Sequence, residues 1–324
     1  MTILLGHRRG GVECFLRKAA EKVKQRTKRR GLMMLHVSVV VGTKNRSDSL
    51  RKLLHALVNQ TYQDFDVAII DDGSEPGHAE KNRDYCNCAS KNISVKYFHR
   101  KAAGVGAARN YGISKCTGEI IACTDDDCLP SRDWISNAIK YFDDSRIAGI
   151  EGLIISDVDP SQHRRYKIVS NERFLRGKRC FYAGFMTANM FYRRSIVEKV
   201  GGFDEKFRLP LRDDSDIAWR ILKHGEIPFA SDVIVLHPAK KRQRFDPIHY
   251  MNDAYLFHKH PTEFIELFKS QPLLIDPRYW FYVIKGARKF HVRVPVWRLA
   301  AIKLELALKR LRRGKHRRKS VGEH

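Results

Sequence analysis

An α/β fold on a mostly parallel sheet is the class this sequence predicts, and three observations predict it. Apolar, strand-like runs alternate with amphipathic helical stretches at roughly 10–15-residue distances. Short acidic clusters follow directly on two of those runs, where sheets of this class place their ligands. The chain has 324 residues, 43% of them hydrophobic, with 21 glycines and 11 prolines. That is enough to bury a sizeable core, and it is the composition of neither a fibrous nor a disordered chain.

The elements follow in order. Residues 12–24 place Val12, Phe15, Leu16, Ala19, Ala20 and Val23 three and four apart among Arg17, Lys18, Lys22 and Lys24, which predicts a basic amphipathic helix. After Gly31 a buried strand is expected over 36–42, then a turn at Thr43-Lys44-Asn45-Arg46. Leu50, Leu53, Leu54, Leu57 and Val58 mark one face of a helix beginning near Ser47 or Ser49. A strand over 67–70 ends in Asp71-Asp72-Gly73-Ser74, and strands over 94–98 and 119–123 flank a helix over 106–115. The second of these runs into Thr124-Asp125-Asp126-Asp127. A helix over 134–142 and a strand over 147–155 precede a basic, irregular stretch around His163-Arg164-Arg165-Tyr166. An apolar run over 183–192 and Gly201-Gly202-Phe203-Asp204 lead to a third acidic cluster, Asp213, Asp214 and Asp216. That cluster opens a helix over 217–224, stopped by Gly225. A strand over 233–236 then runs into His237-Pro238.

The net charge of +25 suggests a nucleic-acid binder until it is located. Residues 1–30 hold ten lysines and arginines against two glutamates, and residues 297–324 hold ten against two. The excess is therefore terminal and points to a polyanionic surface outside the central site, not to specific nucleic-acid recognition. Seven cysteines in a chain that opens without a signal-peptide pattern suggest a reducing cytoplasm, and their spacings are not those of zinc ribbons. No apolar run approaches the ~20 residues that span a bilayer, so membrane contact is expected to be peripheral, on the inner face.

Eight of the 36 acidic residues fall in the three clusters. Like charges repel, so grouping them costs stability unless a cation or donor-rich ligand compensates. Hard, oxygen-seeking magnesium or manganese is the natural compensator. Aspartates that cap turns and helices are the alternative for any single cluster.

These residues resemble a family. Val37-Ser-Val-Val-Val-Gly-Thr-Lys-Asn-Arg46, Asp71-Asp-Gly-Ser74, Gly106-Ala-Ala-Arg-Asn-Tyr-Gly112, Thr124-Asp-Asp-Asp127, Gly201-Gly-Phe-Asp204 and Asp213-Asp-Ser-Asp-Ile-Ala-Trp-Arg220 are similar, in order, to the motifs of family 2 glycosyltransferases of the GT-A fold. The resemblance covers roughly residues 35–240. It implies a Rossmann-like catalytic domain over 32–240, with a nucleotide-sugar half over 32–130 and an acceptor half over 131–240. Basic helical extensions over 1–31 and 241–324 would flank it.

By position, the resemblance makes Thr43 and Asp72 contacts to the nucleotide base, with Asp71 beside them and Asn45 and Arg46 on the same loop. It sets Arg109 near base and phosphates. Asp125 and Asp127 become the acids of the Asp-x-Asp motif that hold ribose and a magnesium or manganese ion, with Asp126 between them. Asp214 takes the place of the catalytic base, beside Asp213. The family has Glu where this chain has Asp213, which leaves open which of the two carboxylates faces the acceptor. His237 stands where some related transferases place a metal-ligating histidine, and a capped strand end is the other reading. Residues 180–192 would line the acceptor side. The implied reaction is inverting transfer of one sugar from a nucleotide sugar, a UDP-sugar on the base contact of Asp72, to a glycan or lipid-linked hydroxyl. The processive Gln-x-x-Arg-Trp motif is missing. A nucleotidyltransferase lacks its phosphate-cradling glycine loop here, and a non-catalytic membrane or nucleic-acid adaptor would not need acids in all three clusters.

Overall fold

The computed structural model describes residues 35–175, 185–208, 211–241, 247–270 and 277–319. The helix expected over 12–24 and part of the 180–192 segment lie outside them. The first half alternates strand and helix: β1 (Val37–Thr43), α1 (Ser47–Val58), β2 (Phe65–Asp72), α2 (Pro76–Ala89), β3 (Ser94–Arg100), α3 (Val105–Ser114) and β4 (Ile120–Cys123). The second half holds β5 (Leu129–Pro130), α4 (Trp134–Ile139), β6 (Gly149–Ile155), β7 (Tyr166–Lys167), β8 (Met190–Arg193), α5 (Arg194–Lys199), α6 (Asp213–Ile221), β9 (Phe229–Leu236) and β10 (Lys240–Lys241). Four helices follow: α7 (Met251–Lys259), α8 (Pro261–Ser270), α9 (Pro277–Lys289) and α10 (Val296–Lys319).

One eight-stranded sheet runs in the order β3-β2-β1-β4-β8-β6-β9-β5, and β10 pairs with β7 in a separate ribbon. β3, β2, β1 and β4 are parallel; β8 inserts antiparallel between β4 and β6. The first strands read as unbroken apolar runs because both faces are covered. Val37, Val39 and Val41 enter one core with Leu50, Leu53, Leu54 and Leu57 of α1, whereas Val40 enters the other core with Ala108 and Ile113 of α3. Burial of each leucine stabilises the fold by about 1.5–3 kcal/mol. Gly73, at φ +84°, turns the chain after β2 where a Cβ would lie 2.9 Å from the Ala102 nitrogen.

The helices α7 to α9 pack on the same core as α6, with Leu256, Phe264, Phe268, Tyr279 and Val283 buried among Ile217 and Trp219. α9 meets α7 backbone to backbone at Gly286, where a Cβ would lie 2.3 Å from the Met251 carbonyl oxygen. An ionic tie joins these helices to the sheet domain. The fully buried Asp216 carboxylate accepts from Arg220 Nη2 and Lys259 Nζ at 2.6 Å each and pairs with His260 Nε2 at 2.9 Å. Burial alone would raise its pKa, but His260, Arg220 and Lys259 hold it down at about 2. The depressed pKa means a stabilisation fully present above the ordinary carboxylate range and lost as pH falls toward 2. Asp216→Asn is therefore expected to cost about 3–5 kcal/mol at neutral pH, a deficit that shrinks in acid. Thermal melts at pH 7 and pH 3 check it; an equal melting shift at both would contradict the assignment.

Candidate active site

The site lies at the carboxyl ends of β1, β4 and β9. Register explains the meeting of residues far apart in sequence. β5 pairs antiparallel with β9, Leu129 opposite Leu236, so the residues just before β5 lie beside those just after β9. As a result, ligand atoms of Asp125, Asp127, Cys128 and His237 all lie within 4.8 Å of one another. Burial, the largest cause, with Asp125 and Asp127 beside it, raises the Cys128 pKa and keeps the thiol protonated. Three of these four donors are two carboxylates and an imidazole, a hard-to-borderline set that fits magnesium or manganese.

Asp127 is 8% exposed and carries most of the local charge balance. Its Oδ2 is ion-paired to Lys240 Nζ and lies 3.3 Å from Arg46 Nη1, and its Oδ1 lies 3.6 Å from His237 Nε2. Burial would raise its pKa, yet Lys240, His237 and Arg46 hold it below the ordinary range. Arg46 also donates to Asp126 Oδ1 at 2.8 Å, and Thr43 Oγ1 donates to Asp126 Oδ2 at 2.7 Å.

The third cluster sits at the N-terminus of α6, and a strained turn aims it. Leu211 and Arg212 have φ of +101° and +81°, left-handed values that cost about 1–3 kcal/mol each for non-glycine residues. α7 holds the turn: Arg212 Nε donates to buried Asp253 at 2.6 Å, and Asn252 Nδ2 donates to the Leu211 carbonyl at 2.8 Å. Asp213 is buried and accepts from Arg109 Nη1 at 2.8 Å; the other side of that guanidinium reaches Asp125 at 3.1 Å. Arg109 is itself buried and bridges the second and third acidic clusters. Burial raises the pKa of Asp213 despite Arg109. Asp214 is half-buried, and its one hydrogen bond among the described residues is from the Ser215 backbone N–H at 2.8 Å. Burial first, and the Asp213 charge second, push its pKa up to about 7.

Three of the residues expected on the nucleotide side make hydrogen bonds within the fold. Asp71, expected beside the base, is fully buried and accepts from Ser74 N, Asn82 Nδ2 and Tyr97 Oη at 2.7–2.9 Å, so it holds the turn after β2. Asp126, expected on the nucleotide side, is buried inside the clamp of Thr43 and Arg46. Thr43 gives its hydroxyl hydrogen to that clamp. Both carboxylates lie inside the fold with their hydrogen bonds made to it. Asp72 keeps a partly open carboxylate while accepting from the Ala103 and Gly104 backbone N–H groups at 2.9 and 2.8 Å. Asn45, at φ +54°, accepts from Glu75 N and stitches its loop to the Asp71 turn. Lys240, Arg212 and the bridging of Arg109 to Asp213 carry no local sign in the sequence, since their partners lie 113, 41 and 104 residues away.

Known proteins similar to this chain are glycosyltransferases. The chain is 29% identical over 213 residues to the glycosyltransferase AglE of Haloferax volcanii, covering 63% of this chain and 67% of that protein. It is 27% identical over 236 residues to the O-antigen chain rhamnosyltransferase RfbN of Salmonella typhimurium, covering 69% and 73%. It spans less than half of the pre-mycofactocin glycosyltransferase of Mycobacterium tuberculosis, 43% of that protein at 27% identity. Among solved structures, the mannosyltransferase PcManGT of Pyrobaculum calidifontis, in complex with GDP-Man and Mn2+, superposes with a TM-score of 0.54 at 19% identity over 89% of this chain and 86% of that one. The fold is accordingly GT-A. The family model for Glycosyl transferase family 2 matches residues 38–201, half of the chain, and with the ordered motifs now gathered at one sheet edge, the chain belongs to the family 2 glycosyltransferases.

Proposed function

We propose that the protein is a metal-dependent, inverting glycosyltransferase that moves one sugar from a UDP-sugar to a hydroxyl of a glycan or lipid-linked acceptor at an anionic membrane surface. The observation that carries this reading is the Arg109 bridge, which sets the Asp125, Asp127 and His237 donor set beside an available, half-buried Asp214. Asp127, Asp125 and His237 would hold the ion, and magnesium or manganese there would neutralise the diphosphate so that it leaves as a stable anion. Asp72, with lone pairs to spare, can accept the imide hydrogen of uracil. Arg46 adds positive charge on the phosphate side. Asp214 takes the proton from the acceptor hydroxyl as its oxygen attacks the anomeric carbon, and the bond to phosphate breaks on the opposite face. One attack from one side inverts the centre. Asp213 is committed to Arg109, which supports Asp214 as the base. Screening UDP- and GDP-sugars for manganese-dependent hydrolysis tests the reading; it fails if no nucleotide sugar is bound or cleaved with manganese present.

The membrane part of the reading rests on the last two helices. No helix among the described residues is long and apolar enough to cross a bilayer. Yet Trp297 is 76%, Leu304 63% and Phe281 61% exposed, with Ile284 and Leu308 also outward. The opposite side of α10 is docked: Leu299 is buried, and Lys303 Nζ donates to the Phe268 carbonyl at 2.5 Å. The two apolar faces of this helix thus have two environments, one the protein and one open. Exposed aromatics beside Lys285, Arg288 and Lys289 suit the headgroup region, and each nearby basic residue adds about 1 kcal/mol toward a negative leaflet. Phe281→Ser with Trp297→Ser is expected to abolish co-sedimentation with phosphatidylglycerol vesicles while leaving donor hydrolysis in solution intact. Unchanged pelleting of the double variant would defeat the membrane reading.

A further inference from the structure

We propose that Lys240 is a resident counter-cation of the metal site, holding Asp127 until a divalent ion arrives and then, once displaced, holding the donor's diphosphate. The proposal rests on reading Asp127 as a metal ligand. Oδ2 of Asp127 is engaged by Lys240 and Arg46, while Oδ1 lies 3.6 Å from His237 Nε2. An ion that takes Oδ2 must therefore push a group aside. His237 is itself a donor and can stay. Arg46 keeps a second partner, Asp126, at 2.8 Å. Lys240 pairs with no other acid among the described residues, and its side chain is about half exposed, so it is the group free to leave.

The fold supplies a fixed stem for that movement. The backbone of β10 pairs with β7, Lys240 opposite Lys167, and the Ala239 N–H donates to Asp157 Oδ1 at 2.7 Å. Only the four-carbon side chain needs to turn. An ammonium displaced from Asp127 stays tethered beside this donor set, and lysine serves phosphate as a compact point charge. Two consequences follow. Without nucleotide, ion and ammonium compete for one carboxylate, which weakens the ion's binding. With nucleotide, the diphosphate gives the ammonium a new partner, so ion and nucleotide bind with positive coupling.

The test is titration of the full-length protein with MnCl2, free manganese being read by electron paramagnetic resonance, with and without UDP. Lys240→Met is expected to tighten manganese binding about tenfold in the absence of UDP and to weaken UDP binding about tenfold at saturating manganese, removing most of the coupling. Lys240→Arg should keep the wild-type pattern. Unchanged or weaker manganese binding by Lys240→Met, with wild type binding manganese and Asp127→Ala not, would overturn this inference alone. Failure of both wild type and Lys240→Met to bind manganese would remove the metal reading and this inference with it.

Discussion

Asp214→Asn is expected to lower sugar transfer by about 10²- to 10⁴-fold while leaving nucleotide affinity nearly unchanged, because the proton is removed only in the transition state. The same carboxylate sets two further signatures. Its pKa is raised to about 7 by burial and by Asp213, so in wild type the acid limb of the rate profile should fall near neutrality, with activity rising as the base ionises. The raised pKa also makes the ionised form a liability for the fold: folded Asp214 resists losing a proton that the unfolded chain gives up near pH 4. Its destabilisation grows as pH rises from about 4 and is complete above 7. Asp214→Asn should then melt higher than wild type, most clearly at pH 8. Full activity in Asp214→Asn, with the loss in Asp213→Asn instead, would move the catalytic register by one residue.

The second large effect is expected at the donor set. Asp127→Ala should eliminate manganese-dependent UDP binding, a loss exceeding the ~10–100-fold that removal of a metal site's supporting partners costs. Asp125→Ala should weaken it less, since its carboxylate also serves Arg109. Any UDP binding left in Asp127→Ala should be independent of metal, carried by Lys240 freed from its carboxylate. Calorimetry with and without manganese checks both variants. Equal UDP affinity of the wild type in the two conditions would remove the metal from the mechanism.

Much of the architecture was legible in advance. The strand expected over 67–70 extends as β2 from Phe65 to Asp72, and the helix expected over 106–115 is α3, Val105–Ser114. The helix placed after the third acidic cluster begins earlier than expected, at Asp213, because the acidic residues form its first turn. The sequence carries little sign of α2: its Lys, Arg, Asn and Asp residues leave only a weak apolar stripe of Ala79, Cys86 and Ala89. Arg220 pairs with Asp216, and Trp219 lies in the core.

Within the acidic clusters the balance differs. Composition, periodicity and motif order by themselves determined the fold class, the family resemblance and the three short runs of aspartate at element ends, because strand and turn chemistry act over a few residues. Tertiary structure alone decided what each aspartate does. Asp71 and Asp126 turned inward, Asp213 was taken by Arg109, Asp216 became the tie to α7 and α8, and Asp214 stayed available. Neighbouring aspartates are chemically identical in the unfolded chain. Their ionisation and availability depend on burial and on cations brought close by strand register and helix packing, as Arg109 is to Asp213 across 104 residues and Lys240 to Asp127 across 113.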